Sequence, residues 1–301
     1  MKNMSWLAVL RFKLMLAWTS LMRIILPYPM GNSLSALTIP FLHPGIIKHK
    51  AVFMHGLDKV FGDKDLAVRA WKRHAALVSV TRFQGSFYSR EDTSWIKQCQ
   101  LEIKGAEYIQ EFQGAEKGLL VMTYHHHLNM LFCNLLARLN LPVTTIAMDD
   151  RDNSRFQKFG SRINRIYRHA QKLSNGGEVI LVKPQRLARP ILRAFEQGHL
   201  VVTANDFPGV FDDKNRKEFK FLNSTLSCPT GTIKLAVKKN IPIVAAYLNW
   251  LGGSRFEMEI KPVSDGIEAI DVNEAMTRYL AVLETAIQNQ PGLWEGWKWI
   301  K

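Results

Sequence analysis

The sequence predicts an α/β fold: a mixed, largely parallel β-sheet flanked by helices, behind an N-terminal membrane-anchor helix. Three observations carry this reading. Short apolar runs of strand length recur after residue 117 and alternate with helical stretches, the pattern of strands joined by helical crossovers. The stretch from 35 to 95 is rich in Ala, Leu, Lys and Arg, a helical composition. The first 30 residues are dominated by one apolar segment interrupted by basic side chains.

That segment, WLAVLRFKLMLAWTSLMRIIL from Trp6 to Leu26, is broken by Arg11, Lys13 and Arg23. An uninterrupted span needs about 20 apolar residues. Long basic side chains near a helix end can reach the headgroups while their stems stay in apolar surroundings. Two membrane readings stand, a single anchor or a basic amphipathic helix lying in the interface, beside a buried core helix. Trp6 and Trp18 with their flanking cations suit the membrane. The basic excess places the rest of the chain on the cytoplasmic side. Leu26-Pro27-Tyr28-Pro29 ends this helix, because proline lacks a donor and biases the preceding residue away from helix.

Asp63 is a plausible N-cap for DKDLAVRAWKRHAALVSVTRF. Leu101–Ile103 alternates as a short strand, and Gly118-LLVMTY-His125 is an apolar strand ending in polar residues. Further strands are expected at Val143–Met148, Glu178–Val182, Leu200–Ala204 and Ile243–Leu248. Helices separate them at Leu128–Leu139, Ser154–Leu173, Gln185–Gln197 and Thr230–Lys239. No repeat or linker divides the chain beyond the anchor. The expected organisation is residues 1–30 as anchor or interfacial helix and 31–301 as one catalytic domain. In parallel sheets functional groups collect at the carboxyl ends of strands, where His125 and Asp206 both fall.

Forty Lys and Arg against 26 Asp and Glu give a net charge of +14, which favours an anionic partner. Nucleic acid fits the charge, but no recognition motif is present. Cys99, Cys133 and Cys228 are odd in number, widely spaced and without a CxxC pair, which argues against a disulfide framework or a structural zinc site.

The run His125-His126-His127 is the clearest chemical feature. Adjacent helical residues point about 100° apart, so the run cannot supply three ligands to one ion, and no metal or other cofactor is expected. Solvated or hydrogen-bonded loop histidines are the plain reading; a histidine general base is the functional one.

Gly118-LLVMTY-His125 and the helix after it resemble the histidine-bearing strand-turn-helix of the late lipid A acyltransferases (the lauroyl and myristoyl transferases), a branch of the lysophospholipid acyltransferase superfamily. The resemblance covers nearly the whole chain. It includes Leu-Pro-Tyr-Pro at 26–29, Pro40-Phe41-Leu42, Asp152-Asn153 and Gly198-HLVVTAN-Asp206 with Phe207 and Gly209. It continues through Phe219-Lys220-Phe221-Leu222, Pro229-Thr230-Gly231-Thr232, Gln290-Pro291-Gly292-Leu293-Trp294 and Trp297-Lys298-Trp299. The resemblance implies a glycerolipid-acyltransferase-like fold at the bacterial inner membrane, with the catalytic domain on its cytoplasmic face, acting in lipid A and lipopolysaccharide biosynthesis. It also implies the reaction: a histidine deprotonates an acceptor hydroxyl, which attacks a thioester on acidic acyl carrier protein. An acid five positions on, in an H-x4-D/E pattern, orients the imidazole.

This sequence departs from that pattern. The fifth position after His125 is Met130, and counting from His126 or His127 reaches Leu131 or Phe132. The orienter expected in its place is Asn129, His126, His127, Asp149 or Asp150. The family's arginine is also displaced: Asp149 aligns near its place and Arg151 is the stand-in. The departure leaves three functions open. They are acyl transfer to a hydroxyl of a lipid A-type glycolipid, aminoacyl (glycyl) transfer onto lipid A, and an inactive homologue that binds lipid or carrier protein.

Supporting features read two ways. Residues 151–196 hold eleven Lys or Arg against three acids, a solvated helix face or a dock for carrier protein and phosphorylated headgroups. Thr230-Gly231 at a helix start could hold a phosphate or oxyanion, or Thr230 could simply cap the helix. Asp206 could bind the acceptor or shape a turn. Trp294, Trp297 and Trp299 could meet the membrane or pack on the domain.

Overall fold

The computed structural model describes residues 6–42, 44–88, 90, 92–113, 117–148, 160–182, 187–206 and 215–300. Four helices come first: α1 (Trp6–Ile25), α2 (Tyr28–Leu42), α3 (Pro44–Phe61) and α4 (Lys64–Tyr88). Helix α1 stops just before Leu26-Pro27, as the prolines require. Its inner face carries the buried Met15, Thr19 and Met22, spaced at helical intervals. The Trp18 indole donates to Thr38 Oγ1 at 2.9 Å, tying α1 to α2. The Asp63 carboxylate accepts the Leu66 amide at 2.9 Å, the capping bond expected for the start of α4. Among the described residues no helix is long and apolar enough to cross a membrane.

The sheet is built from β1 (Gln100–Lys104), β2 (Leu119–Thr123), β3 (Val143–Met148), β4 (Val179–Val182), β5 (Leu200–Ala204), β8 (Ile243–Gly252) and β9 (Arg255–Ser264), in the order β1-β9-β8-β2-β5-β3-β4. A separate antiparallel hairpin pairs β6 (Arg216–Phe221) with β7 (Ser224–Pro229). Strands β8, β2, β5, β3 and β4 run parallel, while β9 is antiparallel to β8 and parallel to β1. The sheet is therefore mixed and largely parallel, with helices against it. All five residues of β2 and the first eight of β8 are buried, as expected of central strands covered on both faces.

Helices α5 (Ala106–Gln113), α6 (Asn129–Leu136), α7 (Gly160–Lys172), α8 (Ala188–Glu196) and α9 (Gly231–Lys238) separate the strands, and α10 (Val272–Asn289) follows them. Helix α6 is shorter than the expected Leu128–Leu139, because Ala137–Leu139 tightens to a 3-10 turn that Asn140 closes at φ 61°. The β6–β7 hairpin, β9 and α10 extend the expected set of elements. Asp271 caps α10 through the Asn273 and Glu274 amides, at 2.7 and 2.8 Å.

The last described segment returns to the helical layer. Gly56 on α3 lies so close to the Trp297 carbonyl that a Cβ there would collide with backbone. Gly292 passes under α4 in the same way, with the Ala70 carbonyl where a side chain would begin. The C-terminal Gly-Trp motifs are thus packed against the domain, and Trp294 and Trp297 are buried rather than presented to a membrane.

Candidate active site

Strand β2 delivers the histidine run and β5 delivers Asp206. The two strands are parallel neighbours with Thr123 opposite Ala204. His125 and Asp206 each lie two residues beyond that pair, so the register alone brings them together at the carboxyl edge of the sheet. His125 Nδ1 lies 2.7 Å from Asp206 Oδ1. The His125 backbone N–H donates to the same carboxylate, 2.9 Å from Oδ1 and 3.0 Å from Oδ2. The Trp294 indole N–H donates to Oδ2 at 2.7 Å. Asp206 is fully buried, whereas the His125 side chain is 32% exposed.

Since the carboxylate only accepts, Nδ1 of His125 carries a hydrogen and the ring's lone pair lies on Nε2. Burial disfavours the charged ring, but the Asp206 carboxylate beside it outweighs that effect and raises the His125 pKa above its ordinary value. The Trp299 ring stands edge-on to His125, with centroids 5.5 Å apart. A base held by a buried carboxylate, with its reacting nitrogen on the far side of the ring, suits proton abstraction from a hydroxyl.

Two residues on, a second histidine–carboxylate pair has a different character. His127 Nδ1 is 2.9 Å from Glu295 Oε1, and its Nε2 is 3.4 Å from His74 Nε2. His74 Nδ1 faces the Gly292 carbonyl at 3.3 Å and must donate to it. His74 Nε2 is then an acceptor, and His127 donates through that contact as well as toward Glu295. Both nitrogens of His127 thus have partners within hydrogen-bond reach. Burial and then His127 push the His74 pKa down to about 3. Although burial opposes it, His127 holds the Glu295 carboxyl well below the usual range.

His126 is buried, bridges Trp294 as an isolated antiparallel pair, and accepts the Leu128 amide at Nδ1 at 3.1 Å. Burial lowers its pKa to about 3. Its Nε2 has no hydrogen-bond partner among the described residues.

The described residues among the expected orienters of His125 sit as follows in the structure. Asn129 opens α6, and its buried Oδ1 accepts no hydrogen bond among the described residues, so it does not hold the ring as an acceptor. His126 and His127 are committed to Leu128 and to Glu295 with His74. Met130 packs against the core. Asp206, assigned to the acceptor or a turn from sequence, is the ring partner, so its carboxylate is occupied. Asp149, Asp150 and Arg151 lie outside the described residues. Thr230 does not cap α9 through its side chain; its hydroxyl donates to the Asn215 carbonyl at 3.0 Å and its amide to the same oxygen at 2.8 Å. Beside it, no described residue other than its chain neighbours and its own helix stands within 4 Å of where a Cβ on Gly231 would sit. Sequence reasoning missed Glu295, His74 and the Trp294 contact. The only signal was that each lies near an aromatic or histidine motif, and nothing local showed that the C-terminus returns to β2.

The chain matches the bacterial lipid A biosynthesis acyltransferase family over residues 54–301. That stretch includes the histidine run, Asp206 and the C-terminal Trp segment. No curated protein matches the chain. With the match covering most of its length, the chain belongs to the bacterial lipid A biosynthesis acyltransferase family.

Proposed function

We propose that this protein transfers an acyl group from an acyl-carrier-protein thioester to a hydroxyl of a lipid A-type glycolipid, with His125 as general base and Asp206 as its orienter. The observation that carries this reading is the 2.7 Å contact between His125 Nδ1 and Asp206 Oδ1. It supplies the carboxylate that Met130 lacks, from the neighbouring strand rather than the following helix. His125 Nε2 takes the acceptor hydroxyl proton as the new C–O bond forms at the thioester carbonyl. The C–S bond then breaks, and the imidazolium returns its proton to the leaving thiolate. Asp206 stabilises the imidazolium between these steps.

A complete base–orienter pair favours catalysis over the inactive-homologue reading. Acyl and aminoacyl donors present the same carbonyl to His125, so the mass of the added group separates them. The surface supports anionic partners: Arg165, Arg168 and Lys172 on α7 and Arg189 and Arg193 on α8 are exposed cations. They suit an acidic carrier protein and a phosphorylated acceptor.

The reading also places the protein at a bacterial inner membrane, on the cytoplasmic face, with residues 1–30 as the interfacial part and 31–301 as the catalytic part. Its support is an outward apolar stripe. On α1, Leu10, Leu14, Leu21 and Ile24 are exposed opposite the packed face, and Met30, Leu37 and Phe41 repeat the pattern on α2. Helices of this kind lie in the interface rather than cross it.

The experiment is lipid mass spectrometry in a host that makes the acceptor, comparing the wild type with His125→Ala. The expected result is an acyl-sized mass that the variant fails to add. An aminoacyl-sized mass would replace the donor assignment, and identical lipids from both would remove His125 as the base.

A further inference from the structure

We propose that Trp294 is a positioning residue of this site: its indole N–H fixes the Asp206 carboxylate so that Oδ1 stays on His125 Nδ1. The inference rests on the reading of His125 as the base and names a residue that reading does not contain.

A fully buried carboxylate must have its oxygens satisfied by donors. Asp206 Oδ1 receives the His125 ring and backbone N–H, while Oδ2 receives the weaker share of that backbone N–H and the Trp294 indole. Trp294 is thus the only side chain other than His125 that holds the carboxylate among the described residues. Indole suits the task because it donates and cannot accept, so it takes no part in proton transfer.

The indole is itself located from several directions. Trp294 is buried and forms the isolated bridge to His126. The next amide, Glu295 N–H, donates to the His125 carbonyl at 3.0 Å. The Trp297 and Phe221 rings pack edge-on against Trp294, at 4.9 and 5.4 Å between centroids. The Glu295 side chain grips His127. The C-terminal segment is stitched to the catalytic run at three successive histidines, and a further bond, from the Trp294 indole, ends on the orienting carboxylate.

The test compares Trp294→Phe with site-specific replacement of Trp294 by benzothienylalanine, which keeps the bicyclic shape and substitutes sulfur for the N–H. Trp297→Phe is the control, since it removes a buried indole donor that bonds the Pro291 carbonyl instead, at 2.8 Å. Three readouts are taken on the whole protein: kcat and KM for transfer, the downfield proton resonance of His125 Nδ1–H, and the same substitutions combined with Asp206→Asn. The expected result is a fall in kcat of about 10- to 100-fold, the loss of one hydrogen bond to a charged group, with KM nearly unchanged. The His125 resonance shifts or broadens in both Trp294 variants and stays in Trp297→Phe. In the Asp206→Asn background the Trp294 change has little further effect, because its action passes through the carboxylate.

The proposal is overturned if the benzothienylalanine protein, folded by its melting curve, keeps the wild-type kcat and resonance. It is also overturned if Trp294→Phe costs as much with Asp206→Asn as without it. The resonance needs no turnover: a shift in a protein that transfers nothing would sustain the positioning role while removing the acyl-transfer reading.

Discussion

In the proposed mechanism His125 owes its chemistry to the carboxylate that holds Nδ1. With Asp206 on Nδ1 and the lone pair on Nε2, the ring is a base while neutral and is stabilised when charged. His125→Ala should reduce transfer by about 10²–10⁴-fold, measured as product formed from a carrier-protein thioester. Asn129→Ala should leave kcat within about twofold, since its side-chain oxygen accepts no hydrogen bond among the described residues. Met130→Glu should give no acceleration and should lower the melting temperature, because it adds a carboxyl to a position packed on the core while Asp206 already fills the role. A faster Met130→Glu enzyme would mean that Asp206 is a poor orienter.

The elements explain both what the sequence revealed and what it withheld. The apolar run of β2 and its ending at His125 were legible because a strand buried on both faces must be apolar throughout. That Asp206 also ends a strand was legible too. That β2 and β5 are adjacent and in a register that pairs Thr123 with Ala204 was not, because strand order depends on how crossovers pack. The carboxylate beside His125 therefore looked missing at Met130, while Asp206 brings one from the neighbouring strand. The C-terminal segment was similarly opaque: Trp294 reaches Asp206, 88 positions earlier, and Glu295 reaches His127, earlier still, both beyond any local periodicity.

Glu295 gives this scale its own prediction. Its pKa is held below the ordinary 4.5, so its pairing with His127 contributes stability above the unfolded carboxylate range and loses it as pH falls through that range. Glu295→Gln should cost about 1–3 kcal/mol near neutral pH, with the deficit shrinking on acidification, read from denaturant melts at several pH values. A deficit independent of pH would assign the loss to packing alone.

At the scale of the whole molecule, one end of the sheet holds the site while α1 and α2 turn an apolar stripe outward. Leu14→Glu combined with Phe41→Glu should weaken flotation with anionic liposomes while leaving the melting temperature close to wild type, since both side chains are exposed. Undiminished flotation would remove these helices as the membrane contact. The basic surface of α7 and α8 adds an expected salt dependence of transfer.

If His125 and Asp206 act as one catalytic pair, the pH–rate profile of Asp206→Asn set beside that of the wild type will show it. Because the active base is neutral His125, activity falls on the acid side as the ring protonates, and the carboxylate places that limb above the ordinary 6.5. Asp206→Asn should lower kcat by about 10²–10⁴-fold and move the acid limb to lower pH. A variant that keeps the wild-type kcat with its limb unmoved would contradict it.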